Sequence, residues 1–326
     1  MKKAITIQDI ANLTGFSKST VSRALNNDSR ISQATHTLIH TVARDNHYRP
    51  NLIARSIKTN HTQIIGVIIP TFENQFFAKI LETIQTRAAK VNYQVIVATT
   101  GERSSNEINA VEAMRTQMVE GIIIASTGKI NHYRHLIGET PVVFIDRPVN
   151  RTEAHFFDSV LVDNCTGSYN VVSQLIKNGV ERIGIIGNQL FEHRSQRLSG
   201  YRKALLAHQI TFDADIVKFC HGDYHDAKQL ASQLIINQAC DGIYATDNTI
   251  LSAILNEVEV QKLTSIQIGT FDDNPYLSLL NLPVVANQQP ASEMGAKSFL
   301  MLFDQINGKH KSTSHLKLKT TVKTYL

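Results

Sequence analysis

The sequence predicts an α/β protein with an all-α module in front: a helix-turn-helix headpiece followed by two doubly wound parallel-sheet subdomains. Three observations predict it. Positive charge gathers at the N-terminus, helix start and stop signals recur through the first 45 residues, and beyond residue 63 short apolar runs alternate with amphipathic segments of helical length.

Charge comes first. Residues 1–60 carry nine Lys and Arg against three Asp, a net +6, while the remaining chain sums to −1. A basic module on a near-neutral body suits a polyanion partner. The three cysteines, Cys165, Cys220 and Cys240, are odd in number and scattered, which fits a reducing compartment. No apolar run reaches the length of a membrane span, and Gln8, Asp9 and Asn12 interrupt any signal-peptide core, so a cytoplasmic location is expected.

The headpiece follows from local signals. Thr6 can cap a helix whose third residue, Asp9, suits the positive end of the helix dipole. Ile7, Ile10, Ala11 and Leu13 form its apolar stripe. Gly15 offers the left-handed conformation of a tight turn. Ser17 caps a second helix over about 18–26, with Val21, Ala24 and Leu25 inward and Lys18, Ser19, Ser22, Arg23 and Asn26 outward. A third helix begins near Ser32 and turns Leu38, Ile39, Val42 and Ala43 inward. Helix, glycine turn and polar-faced helix make the helix-turn-helix plan, whose second helix reads base edges in the major groove.

Ile64–Ile69, Val95–Ala98, Ile122–Ala125 and Val142–Ile145 read as buried parallel strands, with helices around 76–90, 104–118 and 129–138. The pattern restarts with Val160–Val162, Ile183–Ile186, Val217–Phe219, Ile243–Ala245 and Ile266–Gly269. Two such runs predict two subdomains with a ligand cleft at the carboxyl ends of their strands. Residues just after strands are therefore site candidates: Phe72, with Phe76 and Phe77 for stacking on a ring, and Asp146 with Arg147 for polar groups. Asp247 and Asp272 stand at two further strand ends, where helix capping is the alternative role for Asp247.

ITIQDIANLTGFSKSTVSRALNN, continuing into HYRPNLIARSIKT, resembles the headpiece and hinge of the lactose/galactose-repressor family of transcription regulators. The resemblance implies base reading by Lys18 and Ser19, and contacts to phosphates or flanking edges by Thr6, Ser17, Thr20, Ser22, Arg23 and Asn26. It also implies a hinge helix that wedges into the DNA minor groove, matched by Asn51, Ala54, Arg55 and Ile57, with Ile57 standing where Leu is usual. FENQFF resembles a pocket motif of the family, Arg197 in QRLSGY its ligand-gripping arginine, and Asp272 its acid for sugar hydroxyls. The body resembles the family's effector core, itself similar to periplasmic sugar-binding proteins.

This organisation divides the chain into a headpiece (1–48), a hinge (49–60) and a core (61–326). Within the core, the N-subdomain takes 61–159 and 288–314 and the C-subdomain 160–287 and 315–326, with crossings near 159, 288 and 314. The function expected is an allosteric, DNA-binding repressor, a homodimer on a palindromic operator, controlled by a sugar, sugar acid or sugar phosphate. FENQFFAKI and FDDNPYLSLL resemble regulators of hexuronate or ketogluconate use, which points to an acid. No phosphate loop, GxSxG elbow or HExxH is present, so an enzyme is not expected, and no cofactor or metal is called for. A transport-type binding protein would share the body but not need the basic module.

Overall fold

The computed structural model describes residues 5–49, 61–150, 152–188, 196–221, 223–309 and 312–325. The chain divides into two compact units, Met1–Thr62 and Gln63–Leu326. The hinge candidates Asn51, Ala54, Arg55 and Ile57 lie outside the described residues.

The first unit contains α1 (Ile7–Thr14), α2 (Lys18–Leu25) and α3 (Gln33–Asp45). Each begins on a side-chain cap. The Thr6 hydroxyl accepts from Asp9 N while Asp9 accepts from Thr6 N, a reciprocal capping box. Ser17 accepts from Thr20 N at 3.1 Å and Ser32 from Thr35 N at 3.2 Å. Gly15, at φ 74°, ends α1 and donates to Ala11 O. Ile10, Ala11, Val21, Ala24, Ile39 and Ala43 form the small core. Leu13 and Leu38, expected inside, are 58% and 47% exposed. With about 100° between successive residues, helices this short bury a narrow stripe, and both leucines fall beyond its edge.

The second unit holds two six-stranded sheets. The first comprises β1 (Ile64–Ile69), β2 (Gln94–Thr99), β3 (Gly121–Ile124), β4 (Val142–Asp146), β5 (Asp158–Val162) and β11 (His315–Leu318), ordered β11-β5-β4-β3-β1-β2. All its pairings are parallel. The second comprises β6 (Ile183–Asn188), β7 (Val217–Cys220), β8 (Gly242–Ala245), β9 (Gln267–Thr270), β10 (Val284–Gln288) and β12 (Thr321–Tyr325), ordered β12-β10-β9-β8-β6-β7. Only β12 runs antiparallel, against β10.

The crossings fall later than the apolar pattern suggests. Val143 pairs with Asp158 and Ile145 with Val160, so Val160–Val162 belongs to the first sheet instead of opening the second. Leu316 pairs with Val160, so 315–318 also joins the first sheet. The chain therefore crosses at about 163, 289 and 319. An apolar run buried on both faces carries no mark of which sheet receives it.

Helices cover the sheets. In the first subdomain, α4 (Gln75–Lys90) packs with α11 (Ala291–Ile306), while α5 (Ser104–Thr116) and α6 (Tyr133–Ile137) pack together. In the second, α7 (Asn164–Lys177) packs with α8 (Gln196–Ala207), and α9 (Tyr224–Ser232) with α10 (Asn248–Val260). The α7–α8 approach depends on Gly200, where an added Cβ would stand 2.2 Å from Cys165 O. Large apolar clusters fill both subdomains and hold their strand ends in place. No helix among the described residues is long and apolar enough to cross a membrane.

Candidate functional site

Two groups of side chains stand out, one in each unit. In the first unit, Ser17, Lys18, Ser19, Arg23 and Asn26 are exposed along α2, and Thr20 and Ser22 are half-buried beside them. The caps that start the helix also arrange this face: Ser17 Oγ lies 2.8 Å from both Ser19 Oγ and Thr20 Oγ1. Asn26 donates to Ser22 O at 2.8 Å. Thr6 is exposed, but its hydroxyl donates to Asp9 Oδ2 at 2.7 Å within the capping box. Among the described residues neither Lys18 nor Arg23 forms an ion pair. Arg30 is different, because Asp28 holds it through two bonds of 2.9 and 2.6 Å and is itself held well below the usual carboxylate range. The helix thus presents its N-terminal dipole, hydroxyls and unpaired cations, a surface suited to phosphates and base edges.

In the second unit the site forms at the carboxyl ends of both sheets. Asp146 closes β4 at φ 64°, and Arg147 N donates across it to Ile145 O at 2.6 Å. This tight three-residue turn places a non-glycine residue in the left-handed region, at a cost of about 1–3 kcal/mol. Arg147 grips Glu102 through bonds of 2.7 and 2.9 Å, and its Nε lies 3.4 Å from Asp146.

Across the site, Arg197 rises from the first turn of α8. Its guanidinium carbon sits 3.6 Å above the Phe271 ring. Its Nε donates to Asn164 Oδ1 at 2.9 Å and its Nη1 to Thr246 O. Stacking and hydrogen bonds together fix the plane of the group. Asp272, just beyond β9, is buried and accepts from Gln289 Nε2 at 2.6 Å. Burial pushes its carboxyl up to about 6, against the pull of Arg197 and with the help of Asp247 and Asp146. Burial likewise raises Asp146, opposed by Arg147 and Arg197.

Four of the expected residues therefore converge from both subdomains: Asp146, Arg197, Asp247 and Asp272. Asp247 also caps α10, accepting from Ile250 N at 2.9 Å. The phenylalanines separate. Phe77 is 3% exposed and belongs to the core, Phe76 packs edge-on against it at 5.2 Å, and Phe72 is 56% exposed. Phe77 is thus a core anchor, since α4 turns that face toward the sheet.

Sequence reasoning missed Glu102, Asn164, Phe271 and Gln289. All four carried a usable signal, because Glu102 follows β2, Asn164 β5, Phe271 β9 and Gln289 β10, at strand ends like the residues that were singled out. An uncharged link also joins the subdomains: Asn74, which caps α4, lies 3.5 Å from Asn248 Nδ2, and Asn274 donates to Asn248 Oδ1. His132 and His135 lie near Glu153, but that carboxylate is taken by Tyr133 N and Arg134 N, at 2.9 and 3.0 Å. Among the described residues no group of three or more His, Cys, Asp or Glu could hold a metal ion.

Comparison with known proteins covers nearly the whole chain. Residues 6–51 match the family described as bacterial regulatory proteins, lacI family. Residues 62–325 match periplasmic binding proteins and the sugar binding domain of the LacI family. The probable HTH-type transcriptional regulator EndR of Paenibacillus polymyxa is 32% identical over 322 residues, 95% of this chain and 93% of the relative. The Lac repressor dimer bound to operator and the anti-inducer ONPF shares the fold, with a TM-score of 0.83 at 21% identity over 99% of this chain and 98% of that one. So does the Cra dual regulator of Pseudomonas putida in complex with fructose 1-phosphate, with a TM-score of 0.72 at 23% identity over 82% of this chain and 100% of that one.

Proposed function

Because the chain belongs to the LacI family of bacterial regulatory proteins, and is a helix-turn-helix transcription regulator and not an enzyme, we propose that it represses transcription in the cytoplasm as a homodimer on a palindromic operator, under the control of a sugar bound at the carboxyl ends of its two sheets. The observation that carries the effector half is the convergence of Asp146 from the first sheet with Arg197 and Asp272 from the second. A ligand gripped from both sides alters the geometry between subdomains, and through it the affinity for DNA, by a coupling of about 1–3 kcal/mol.

On the operator, Lys18 and Ser19 read bases, while Thr6, Ser17, Thr20, Ser22, Arg23 and Asn26 contact phosphates or flanking edges. The hinge residues Asn51, Ala54, Arg55 and Ile57 take the minor groove. One headpiece reads a short half-site, so pairing doubles the contacts.

The test is operator selection from random duplexes followed by a binding titration with and without candidate sugars. A palindromic site whose affinity changes with one sugar is expected, with a steep loss of affinity as salt rises. Salt-insensitive binding, or a selected site without two-fold symmetry, would sink the reading.

A further inference from the structure

We infer that Glu102 is a specificity-determining residue: by occupying the Arg147 guanidinium it leaves the effector site with surplus carboxylates, so that the site accepts an uncharged, hydroxyl-rich sugar and turns away phosphorylated and acidic sugars. The inference rests on the effector reading above and deepens it.

Two arginines at the strand ends invite the opposite conclusion. Arg147 and Arg197 would clamp a phosphate or a carboxylate if both were available. Arg147 is not. Glu102 takes both of its terminal nitrogens at 2.7 and 2.9 Å, the fork-to-fork geometry that an anionic ligand would itself need. Asp146 adds a second carboxylate 3.4 Å from its Nε. The pair is sheltered, with side chains 22% and 31% exposed, so water does little to loosen it.

Among the described residues Arg197 is then the remaining cation of the cluster, and it pulls on the carboxyls of Asp146 and Asp272. Its plane is held against Phe271, and its Nε and Nη1 are engaged. An anion entering here meets one partly used guanidinium and at least two buried carboxylates, and like charges in such surroundings repel strongly. A sugar hydroxyl meets the reverse: carboxylate oxygens accept its proton, and the guanidinium edge donates to its oxygen. Gln289 Oε1, buried and without a hydrogen-bond partner, is one more acceptor beside Asp272.

The test measures the melting temperature of the full-length protein in two arms. The first uses millimolar inorganic phosphate. Phosphate bound at the basic headpiece shifts every variant alike, so the readout is the difference between variants. Glu102→Gln should gain about 2 °C or more over wild type, and adding Arg147→Leu should remove the gain. Glu102→Ala repeats the measurement, and operator binding by each variant reports that it is folded. No gain in either variant, or a wild-type shift that Arg147→Leu abolishes, overturns the inference.

The second arm offers neutral sugars, each beside its phosphate and its uronate. Stabilisation of wild type by a neutral member and not by its charged derivatives supports the inference. Stronger stabilisation by a phosphate or uronate overturns it while leaving an effector site in place. If no sugar binds but the phosphate arm behaves as expected, Glu102 keeps its role and the sugar reading is what fails.

Discussion

The recognition face of α2 and the site between the sheets treat polar groups in opposite ways. On α2 the functional side chains are exposed or half-buried, close in sequence and bonded to near neighbours, with Lys18 and Arg23 outside any ion pair among the described residues, and they are held by a helix whose caps reach only three residues. Between the sheets they are half-buried or buried, far apart in sequence and matched to one another: Glu102 with Arg147, Arg197 with Asn164 and Thr246, Gln289 with Asp272. A surface that must meet a long polyanion keeps its cations available to water and phosphate. A site that must discriminate among small polar molecules satisfies most of its groups in advance and leaves a few unmatched. Single changes on α2 should therefore weaken one contact each, whereas single changes in the buried site should disturb several partners at once.

The largest expected effect is that of Arg197→Ala. It removes the cation that offsets the Asp146 and Asp272 carboxylates and leaves Asn164 Oδ1 and the Thr246 carbonyl without its hydrogen bonds. Effector-dependent change in operator affinity should vanish, with sugar affinity down by about 100-fold or more, as for a buried charged hydrogen-bonding group worth about 3 kcal/mol. Operator affinity without sugar should stay within about threefold. A binding titration reads both, and parallel loss of the two would erase the contrast between the regions.

Next comes pH. Asp272 holds its proton more tightly in the folded protein, at about 6 against an ordinary 3.8. The folded state therefore binds more protons than the unfolded one through that window, and stability falls as pH rises from about 4 to about 6, by at most about 3 kcal/mol. Above that range the contribution is flat. Asp272→Asn should remove much of the slope in chemical denaturation, and an unchanged slope would show that this carboxyl is ordinary.

On the DNA side the effects are smaller and separable. Lys18→Ala should cost about 1–3 kcal/mol on the preferred operator and relax preference at one position per half-site. Arg23→Ala should weaken binding uniformly across sequences and reduce the salt slope by about one. If Arg23→Ala instead relaxed sequence preference, the division between base readers and phosphate contacts on α2 would be reversed. The smallest effect, about 1 kcal/mol, is expected from Ser17→Ala, through loss of the α2 cap. Thermal melting of the headpiece checks it, and a negligible change would mean that the hydroxyl serves DNA alone.

The headpiece was almost wholly legible because its determinants are local. Thr6 with Asp9, Gly15, Ser17 and Ser32 each act on backbone groups within a few residues, so adjacent letters suffice. Even there, Leu13 and Leu38 were misplaced, because the width of the buried stripe depends on how three helices meet. In the body, strand and helix order was readable from apolar periodicity, and the candidates Asp146, Asp247 and Asp272 were chosen from their places at strand ends, whereas Arg197 was singled out by the family resemblance. The route of the chain between sheets was not. Val160–Val162 and 315–318 entered the first sheet through pairings that no local signal announces.

By itself, then, the sequence determined the class of the protein, its basic reading module and the residue types available for a ligand, since short-range hydrogen bonds, periodicity and charge are properties of neighbouring residues. Only the tertiary structure decided which of those residues are committed to one another. Arg147 and Arg197 look alike in the sequence, each an arginine at the edge of a βα unit. One is cancelled by Glu102, 45 positions away, and the other is set on Phe271, 74 positions on. The physical reason is that charge acts over ångströms of space without regard to distance along the chain, so the electrostatic character of a site exists only once the sheets have brought its members together.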